Sequence, residues 1–209
     1  MRAIFKKELK SYFLSPIGYV VIGIFLFVFS VLFYLTTIQY GSIDLGTLYY
    51  YTALYGLMII VPILTMRMFA EERKSGTEQL ILTSPVSIVG VVLGKFLAAM
   101  SVIAVALVVS FMYFGIVKYF GNPNFVVLLV TMLGFLLVAG AAISIGMFAS
   151  SITENQIIAC VLTAGLLLAL MFLPNVNEIF YTFSLVNMFD KFTYGIIALD
   201  SIVYFLSFQ

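Results

Sequence analysis

The chain has 209 residues, of which 64% are hydrophobic and 9% are charged, and its mean hydropathy is +1.20. Because a soluble domain carries roughly 25% charged residues, this composition excludes a water-soluble globular protein, and the net charge of +1 does not indicate a nucleic-acid partner. The sequence contains no histidine, the commonest metal ligand and general base, and its single cysteine can form neither an internal disulfide nor a thiolate metal site by itself.

The apolar runs predict an all-α polytopic membrane protein that forms a single domain over residues 1–209. Their length is that of membrane-crossing helices, whereas outer-membrane barrels show short alternating segments of about 10 residues. Only helices and closed barrels satisfy every backbone polar group in lipid.

Residues 1–15 predict an amphipathic helix that lies in the membrane interface. Apolar side chains recur there on one helical face and the basic side chains lie largely off it, so the cations can face anionic headgroups. A short basic flank without stable structure is the alternative, and the apolar stripe favours the helix. The apolar face comprises Phe5, Leu9, Tyr12 and Phe13.

Five apolar runs then follow, each close to the roughly 20 residues that a crossing requires. The second contains Pro62, which is expected to kink the helix near one end. A sixth run begins at residues 201–209 and is too short to cross, so we expect either a missing span or a fragment. The predicted spans are 17–37, 48–66, 91–117, 125–148 and 157–173.

The distribution of Lys and Arg predicts a cytoplasmic N-terminus. With that orientation eight of the ten basic residues are cytoplasmic, and only Lys118 and Lys191 are outside. Residues 67–90 then form the main cytoplasmic loop. Residues 174–200 are too polar to span and too apolar to lie free in water, which predicts an outer re-entrant segment.

The 67–90 loop mixes charges with apolar residues. Opposite charges at Glu71, Lys74 and Glu78 would support one or two helical turns, and Leu80 to Leu82 form an apolar triplet. The loop is either an ordinary solvated connection or a short transverse helix that docks on a cytoplasmic protein. The triplet favours docking.

The stretch GVVLGKF, which begins at Gly90, lacks the glycine spacing and the Ser or Thr of a phosphate loop. Gly90 and Gly94 instead predict close helix packing, and Lys95 is expected to extend to the cytoplasmic headgroups. Small residues of the fourth span likewise favour packing over a substrate path. The tyrosines from Tyr49 to Tyr55 are interpreted as an aromatic belt near the outer face.

The sequence EERKSGTEQLILTSP at 71–85, followed by Gly94 and Lys95 at the start of the next span, resembles the permease subunits of ABC-2 type transporters. Within that family it is most similar to the permeases of gliding motility and of nitrous-oxide-reductase maturation. The resemblance covers nearly the whole chain, but the family completes a sixth span and ends in a basic tail.

This resemblance implies a six-helix ABC-2 (type V exporter-like) transmembrane domain in the inner (cytoplasmic) membrane. Two such subunits, identical or paralogous, would form the pathway, and separate cytoplasmic ABC ATPase subunits would bind ATP and Mg²⁺. Membrane lipid and an envelope protein are further expected partners, and no nucleic acid is expected. The chain is not expected to be an enzyme by itself, and no catalytic, cofactor-binding or metal-binding residue is predicted in it.

The resemblance also implies two sets of functional residues. The residues expected to contact the ATPase lie in the 67–90 loop and in a second loop near residue 154. A candidate outer gate lies in the re-entrant segment, although an ordinary interfacial ion pair within the cluster of Asp190, Lys191 and Asp200 is as well supported there. The ATPase contacts are Glu71, Glu72, Arg73, Gly76, Thr77, Glu78, Leu82, Pro85, Glu154 and Asn155, and the gate residues are Asn187, Asp190 and Lys191.

Two other classes compete with an ATP-driven permease. A secondary transporter or channel would carry charged or polar groups near mid-span, which the five full spans almost lack. An intramembrane enzyme would need a serine with a base, paired aspartates or a metal motif.

Overall fold

The computed structural model describes residues 2–41, 43–77, 87–172 and 184–209, and over these ranges all regular structure is helical. The all-α fold predicted from the apolar runs is therefore confirmed. The helices are α1 (Arg2–Leu14), α2 (Pro16–Phe33), α3 (Leu45–Tyr51), α4 (Leu57–Thr65), α5 (Ala70–Lys74), α6 (Ile88–Phe120), α7 (Phe125–Ile152), α8 (Gln156–Phe172), α9 (Leu185–Thr193) and α10 (Leu199–Phe208).

Four stretches of the described chain are long and apolar enough to cross a membrane. Two shorter apolar helices, α8 and α10, have 17 and 10 residues. The predicted polytopic character is confirmed, whereas the predicted total of six crossings stays a prediction. The four long stretches are Pro16–Ile38, Leu45–Lys74, Ile88–Phe120 and Phe125–Ile152.

The helices begin where short polar side chains can accept hydrogen bonds from the first free N–H groups. Asp44, Ser87, Asn124 and Ser184 cap α3, α6, α7 and α9 in this way. Two wide π turns, Tyr34–Ile38 and Thr52–Gly56, extend α2 and join α3 to α4. The chain stays helical through Pro62 to the end of α4.

A chain of aromatic rings forms the centre of the bundle. Phe25 of α2 lies 6.0 Å from Phe135 of α7, and Phe135 lies 6.0 Å from Tyr49 and 6.2 Å from Phe189 of α9. Tyr49 is 1% exposed, and its hydroxyl lies 3.0 Å from that of Ser110. The belt interpretation is therefore wrong for Tyr49, because its hydroxyl finds a partner inside the protein.

The bundle has two chemically different ends. The start of α6 and the end of α4 meet α1 at one end, which we call the charged end. The start of α7 and α9 lie together at the other end, which we call the far end. Lys118, in the last turn of α6, and Lys191, in α9, lie at the far end, whereas the basic residues of α1 lie at the charged end.

The glycine of α6 that faces α1 allows the two helices to approach closely. A Cβ on Gly94 would lie 3.0 Å from Ile4 Cγ2 and 3.3 Å from the backbone nitrogen of Phe5. The predicted packing role of Gly94 is thus seen, with α1 as its partner. The N-terminal helix lies against the protein over this face, while Lys6 and Lys10 are exposed.

Candidate coupling site at the charged end

A buried lysine binds two glutamates that are distant from each other in the sequence. Lys95 Nζ lies 2.8 Å from Glu72 Oε1 of α5 and 3.3 Å from Glu8 Oε1 of α1. Lys7 Nζ lies 3.6 Å from each of the same two carboxylates. These four residues, which we call the Lys95 cluster, join three helices through alternating charges.

The Lys95 ammonium is enclosed by protein. Its side chain is 2% exposed, whereas those of Glu8 and Glu72 are 14% and 16% exposed. The ammonium also donates to the Met68 carbonyl at 2.7 Å and lies 5.3 Å from the centre of the Phe69 ring. The expectation that Lys95 extends to the headgroups is therefore wrong, because its partners lie inside the fold.

Met68 lies between α4 and α5, and its carbonyl accepts a hydrogen bond from the Lys95 ammonium. A buried charge persists only when it is paired and hydrogen-bonded. The two carboxylates, the carbonyl and the aromatic face together supply those partners. The cluster therefore fixes the position of α5 relative to α1 and α6.

A second ion pair joins the turn before α5 to the first turn of that helix. Arg67 donates through Nε and Nη2 to the two carboxylate oxygens of Glu71, each at 2.8 Å. This bidentate geometry is the strongest form of the interaction, although both side chains are partly exposed. The pair stiffens the turn between α4 and α5.

Ser150, near the end of α7, holds the start of α5. Its hydroxyl accepts from the backbone N–H groups of Phe69 at 3.1 Å and Ala70 at 3.2 Å, and it lies 3.4 Å from the Met66 carbonyl. Ser150 is fully buried. A side chain at the second predicted loop therefore supplies the hydrogen bonds that the free N–H groups of α5 need.

A cleft of about 340 Å³ separates α1 from the chain around α5. The Tyr12 hydroxyl donates to the Leu64 carbonyl at 3.3 Å beside this cleft, and burial raises the pKa of the Tyr12 phenol. Both signs of charge line the walls, so the cleft has no strong preference for an ion of one sign. The charged residues that line it are Lys7, Glu8, Arg67, Glu71, Glu72 and Lys95.

The structure places the described members of the predicted ATPase contact set at the charged end. Those of the first loop lie in α5 and the turn after it, where Gly76 has a positive φ of 70°. Glu154 and Asn155 are exposed between α7 and α8, and α5 packs against both of these helices. Three residues of the set, Glu78, Leu82 and Pro85, lie outside the described residues.

The candidate gate residues lie at the far end on α9, whose apolar face packs into the bundle. Asn187 is half-buried, Asp190 accepts from the Thr193 hydroxyl, and Lys191 forms an ion pair with Asp200. Burial raises the pKa of Asp190, whereas the Lys191 ammonium lowers the pKa of Asp200. The Lys191–Asp200 pair is exposed, and the gate assignment stays a prediction.

The sequence interpretation missed three residues of the site: Glu8, Lys95 as a buried group, and Ser150. Glu8 is the one acid among the four basic residues of the first helix, which is the signal that could have marked it as a partner. Ser150 carried no comparable signal, because its partners are backbone groups about 80 residues away.

A family model described as ABC-2 family transporter protein matches residues 2–191. Comparisons with curated proteins and with solved structures found no match. The family match and the long apolar helices together indicate a multi-pass membrane protein. The match does not distinguish subgroups within the family.

Proposed function

Because this chain belongs to the ABC-2 family of transporter proteins, we propose that it is a permease subunit driven by a separate cytoplasmic ABC ATPase. The ATPase contacts the permease at the charged end, through α5 and the turn between α7 and α8. The Lys95 cluster is the observation that carries this assignment, since it attaches a short surface helix rigidly to the membrane helices.

Three attachments make α5 a suitable element for receiving force. Glu72 binds Lys95 of α6, Lys95 binds Glu8 of α1, and Ser150 of α7 holds the N-terminus of α5. Ion pairs shielded from water are stronger than exposed ones. A push on α5 is therefore expected to move α1, α6 and α7 together instead of deforming the loop.

In the proposed cycle, ATP binding closes the ATPase dimer and displaces α5. Two permease subunits, identical or paralogous, then rock relative to each other, which biases access toward the opposite side of the membrane. The ATPase supplies the residues for ATP and Mg²⁺. This chain converts the displacement into export or into mechanical work on an envelope partner.

A finer proposal follows from the first-loop motif. We infer that the chain belongs with the permeases of gliding motility and nitrous-oxide-reductase maturation, with the charged end in the cytoplasm of a cell with an inner membrane. The placement of Lys118 and Lys191 at the far end supports this orientation.

An ion-coupled transporter or a channel is less well supported. Such a protein needs polar or charged groups near the membrane centre. Within the four long stretches of the described chain, α2 and α7 carry no charged residue, and the charges of Leu45–Lys74 all follow α4. The charges of α6 are Lys95 and Lys118, near its two ends.

The test is co-purification of the permease with the ABC ATPase of its own cell in nanodiscs. The variants Lys74→Glu and Glu154→Lys reverse exposed charges at the charged end and leave the Lys95 cluster intact. Each is expected to weaken ATPase binding by about tenfold, since like charges across an interface are strongly unfavourable. Lys118→Glu, an exposed reversal at the far end, is the matched control and should bind like the wild type.

Failure of the wild-type protein to bind any ATPase would contradict the proposed function. Equal losses in all three variants would place the contact elsewhere. ATP turnover in the same samples separates binding from coupling, because a coupled ATPase changes its rate when the permease is present.

A further inference from the structure

A second cavity lies at the far end, between the π turn that follows α2 and the last turns of α6. Its volume is about 380 Å³, and its walls include Phe33, Ile116, Val117 and Phe120. This volume falls within the roughly 300–1,000 Å³ of small-molecule sites. The lining is apolar apart from one hydroxyl group.

That hydroxyl belongs to Thr37. The side chain is 8% exposed, and Oγ1 has no hydrogen-bond partner among the described residues. The adjacent Thr36 hydroxyl, in contrast, donates to the Leu32 carbonyl at 2.8 Å. An unpaired buried hydroxyl is unfavourable, so the Thr37 group is suited to a ligand that brings its own acceptor.

The cavity opens sideways toward the membrane. Ile38 and Phe120, which border it, are 58% and 79% exposed. Thr37 lies 21 residues after Pro16, and at 1.5 Å per residue this corresponds to about 32 Å along the helix. The hydrocarbon layer is about 30 Å thick, which places Thr37 near its boundary, where the ester carbonyls of lipids lie.

A cavity of about 280 Å³ with a mixed lining adjoins the apolar one, and Ile43 lines both. Asp44, Asn122 and Asn124 contribute polar groups to this adjoining cavity. The apolar cavity with its buried hydroxyl lies beside a cavity that carries polar side chains, as the apolar and polar parts of a lipid adjoin each other. This pair of environments matches an amphiphile better than a wholly apolar or wholly polar ligand.

We propose that this pair of cavities binds one glycerophospholipid from the leaflet at the far end. One acyl chain occupies the apolar cavity, its ester carbonyl accepts from the Thr37 hydroxyl, and the headgroup lies beside Asp44. The site is separate from the charged end and does not depend on ATPase coupling.

The experiment uses the full chain in nanodiscs that contain phosphatidylethanolamine with a diazirine on its acyl chain. After irradiation, mass spectrometry locates the labelled peptides. We expect the label to concentrate on the segments around Phe33 and Ile116. Ile116→Trp fills the cavity and should remove most of this label, whereas Val108→Trp, at a 72% exposed position of the same helix that lines neither cavity, should retain it.

Thr37→Val tests the hydrogen bond with little change of shape. Interhelical hydrogen bonds in membranes correspond to roughly 3- to 20-fold in an equilibrium constant, and the label should fall by about that factor. Thr36→Val is the control, because its hydroxyl already has a partner inside the helix, and its label should be unchanged. Thermal unfolding of every variant establishes that it is folded, and Ile116→Phe replaces the tryptophan variant if that one is not.

Uniform labelling along all exposed helices, with the two tryptophan variants indistinguishable, would show annular lipid only and would overturn the proposal. Equal labelling of the Thr37→Val and Thr36→Val variants would overturn the assigned role of the hydroxyl.

Discussion

Replacing Lys95 with methionine is expected to destabilise the protein strongly. The substitution keeps an apolar stem of similar length but leaves Glu8 and Glu72 without their closest cation, at side-chain exposures of 14% and 16%. Removing one partner of a buried ion pair typically costs about 3–5 kcal/mol. Lys7, at 3.6 Å from both carboxylates, stays in place, so we expect a loss of stability of about 3 kcal/mol.

The assay is thermal unfolding in detergent, followed by far-ultraviolet circular dichroism. For a chain of this size 1 kcal/mol corresponds to about 2–4 °C in Tm, so Lys95→Met should lower Tm by about 6–12 °C. Lys191→Ala is the matched control, because its ion pair with Asp200 is exposed, at 43% and 59%, and such pairs contribute about 0–1 kcal/mol.

A triple variant distinguishes the loss of the ion-pair attraction from the cost of leaving two buried carboxylates unpaired. Adding Glu8→Gln and Glu72→Gln to Lys95→Met removes both unpaired carboxylates, and most of the lost stability should return, since neutral replacement of a buried ionic group is often tolerated. The reasoning is refuted if Lys95→Met loses no more stability than Lys191→Ala, or if the triple variant is as unstable as the single one.

Three further substitutions test other contacts by the same unfolding assay. Ser150→Ala removes the acceptor for the α5 N–H groups and should lower the stability by about 0.5–2 kcal/mol. Ser151→Ala is the control and should change the stability little, because the Ser151 hydroxyl donates to the Phe148 carbonyl within its own helix. Equal effects of the two substitutions would contradict the capping role. Gly94→Leu should lower the stability by at least about 1–3 kcal/mol, because a side chain there meets α1. Gly115→Leu is the control and should be tolerated, because a side chain at Gly115 meets open space. A tolerated Gly94→Leu would show that α1 is not packed there. Tyr49→Phe removes the hydrogen bond to the Ser110 hydroxyl and should cost about 0.6 kcal/mol, the average for such bonds in membranes; an unchanged Tm would indicate that this bond is not formed.

The sequence predicted the helical elements well, because local composition determines them. Charge-free apolar runs have few alternatives to helix in lipid, and the observed stretches Pro16–Ile38 and Phe125–Ile152 extend the predicted 17–37 and 125–148 by a few residues. In the structure Asn124 and Ser87 cap the starts of their helices, as short polar residues do at such positions. The first-loop motif also indicated the family that the full-chain comparison then matched.

The environment of individual polar side chains could not be predicted in this way. Tyr49 and Tyr55 occur in one tyrosine-rich segment, yet the first is 1% exposed and the second 44%. Which of them is buried depends on where Phe29 and Phe135 lie, and both belong to other helices. The local sequence around each tyrosine carries no information about how close those phenylalanines come to it.

The sequence by itself determined that this is an all-helical membrane protein, and its first-loop motif pointed to the ABC-2 family. The tertiary structure decided that Lys95 lies inside the protein instead of extending toward the headgroups. Its partners, Glu8 and Glu72, lie 87 and 23 positions away in the sequence. Glu8 reaches it because Gly94 allows α1 to approach α6, and Glu72 reaches it from α5. A buried charge is stable only with its partners present, so its position depends on long-range packing and not on the residues beside it.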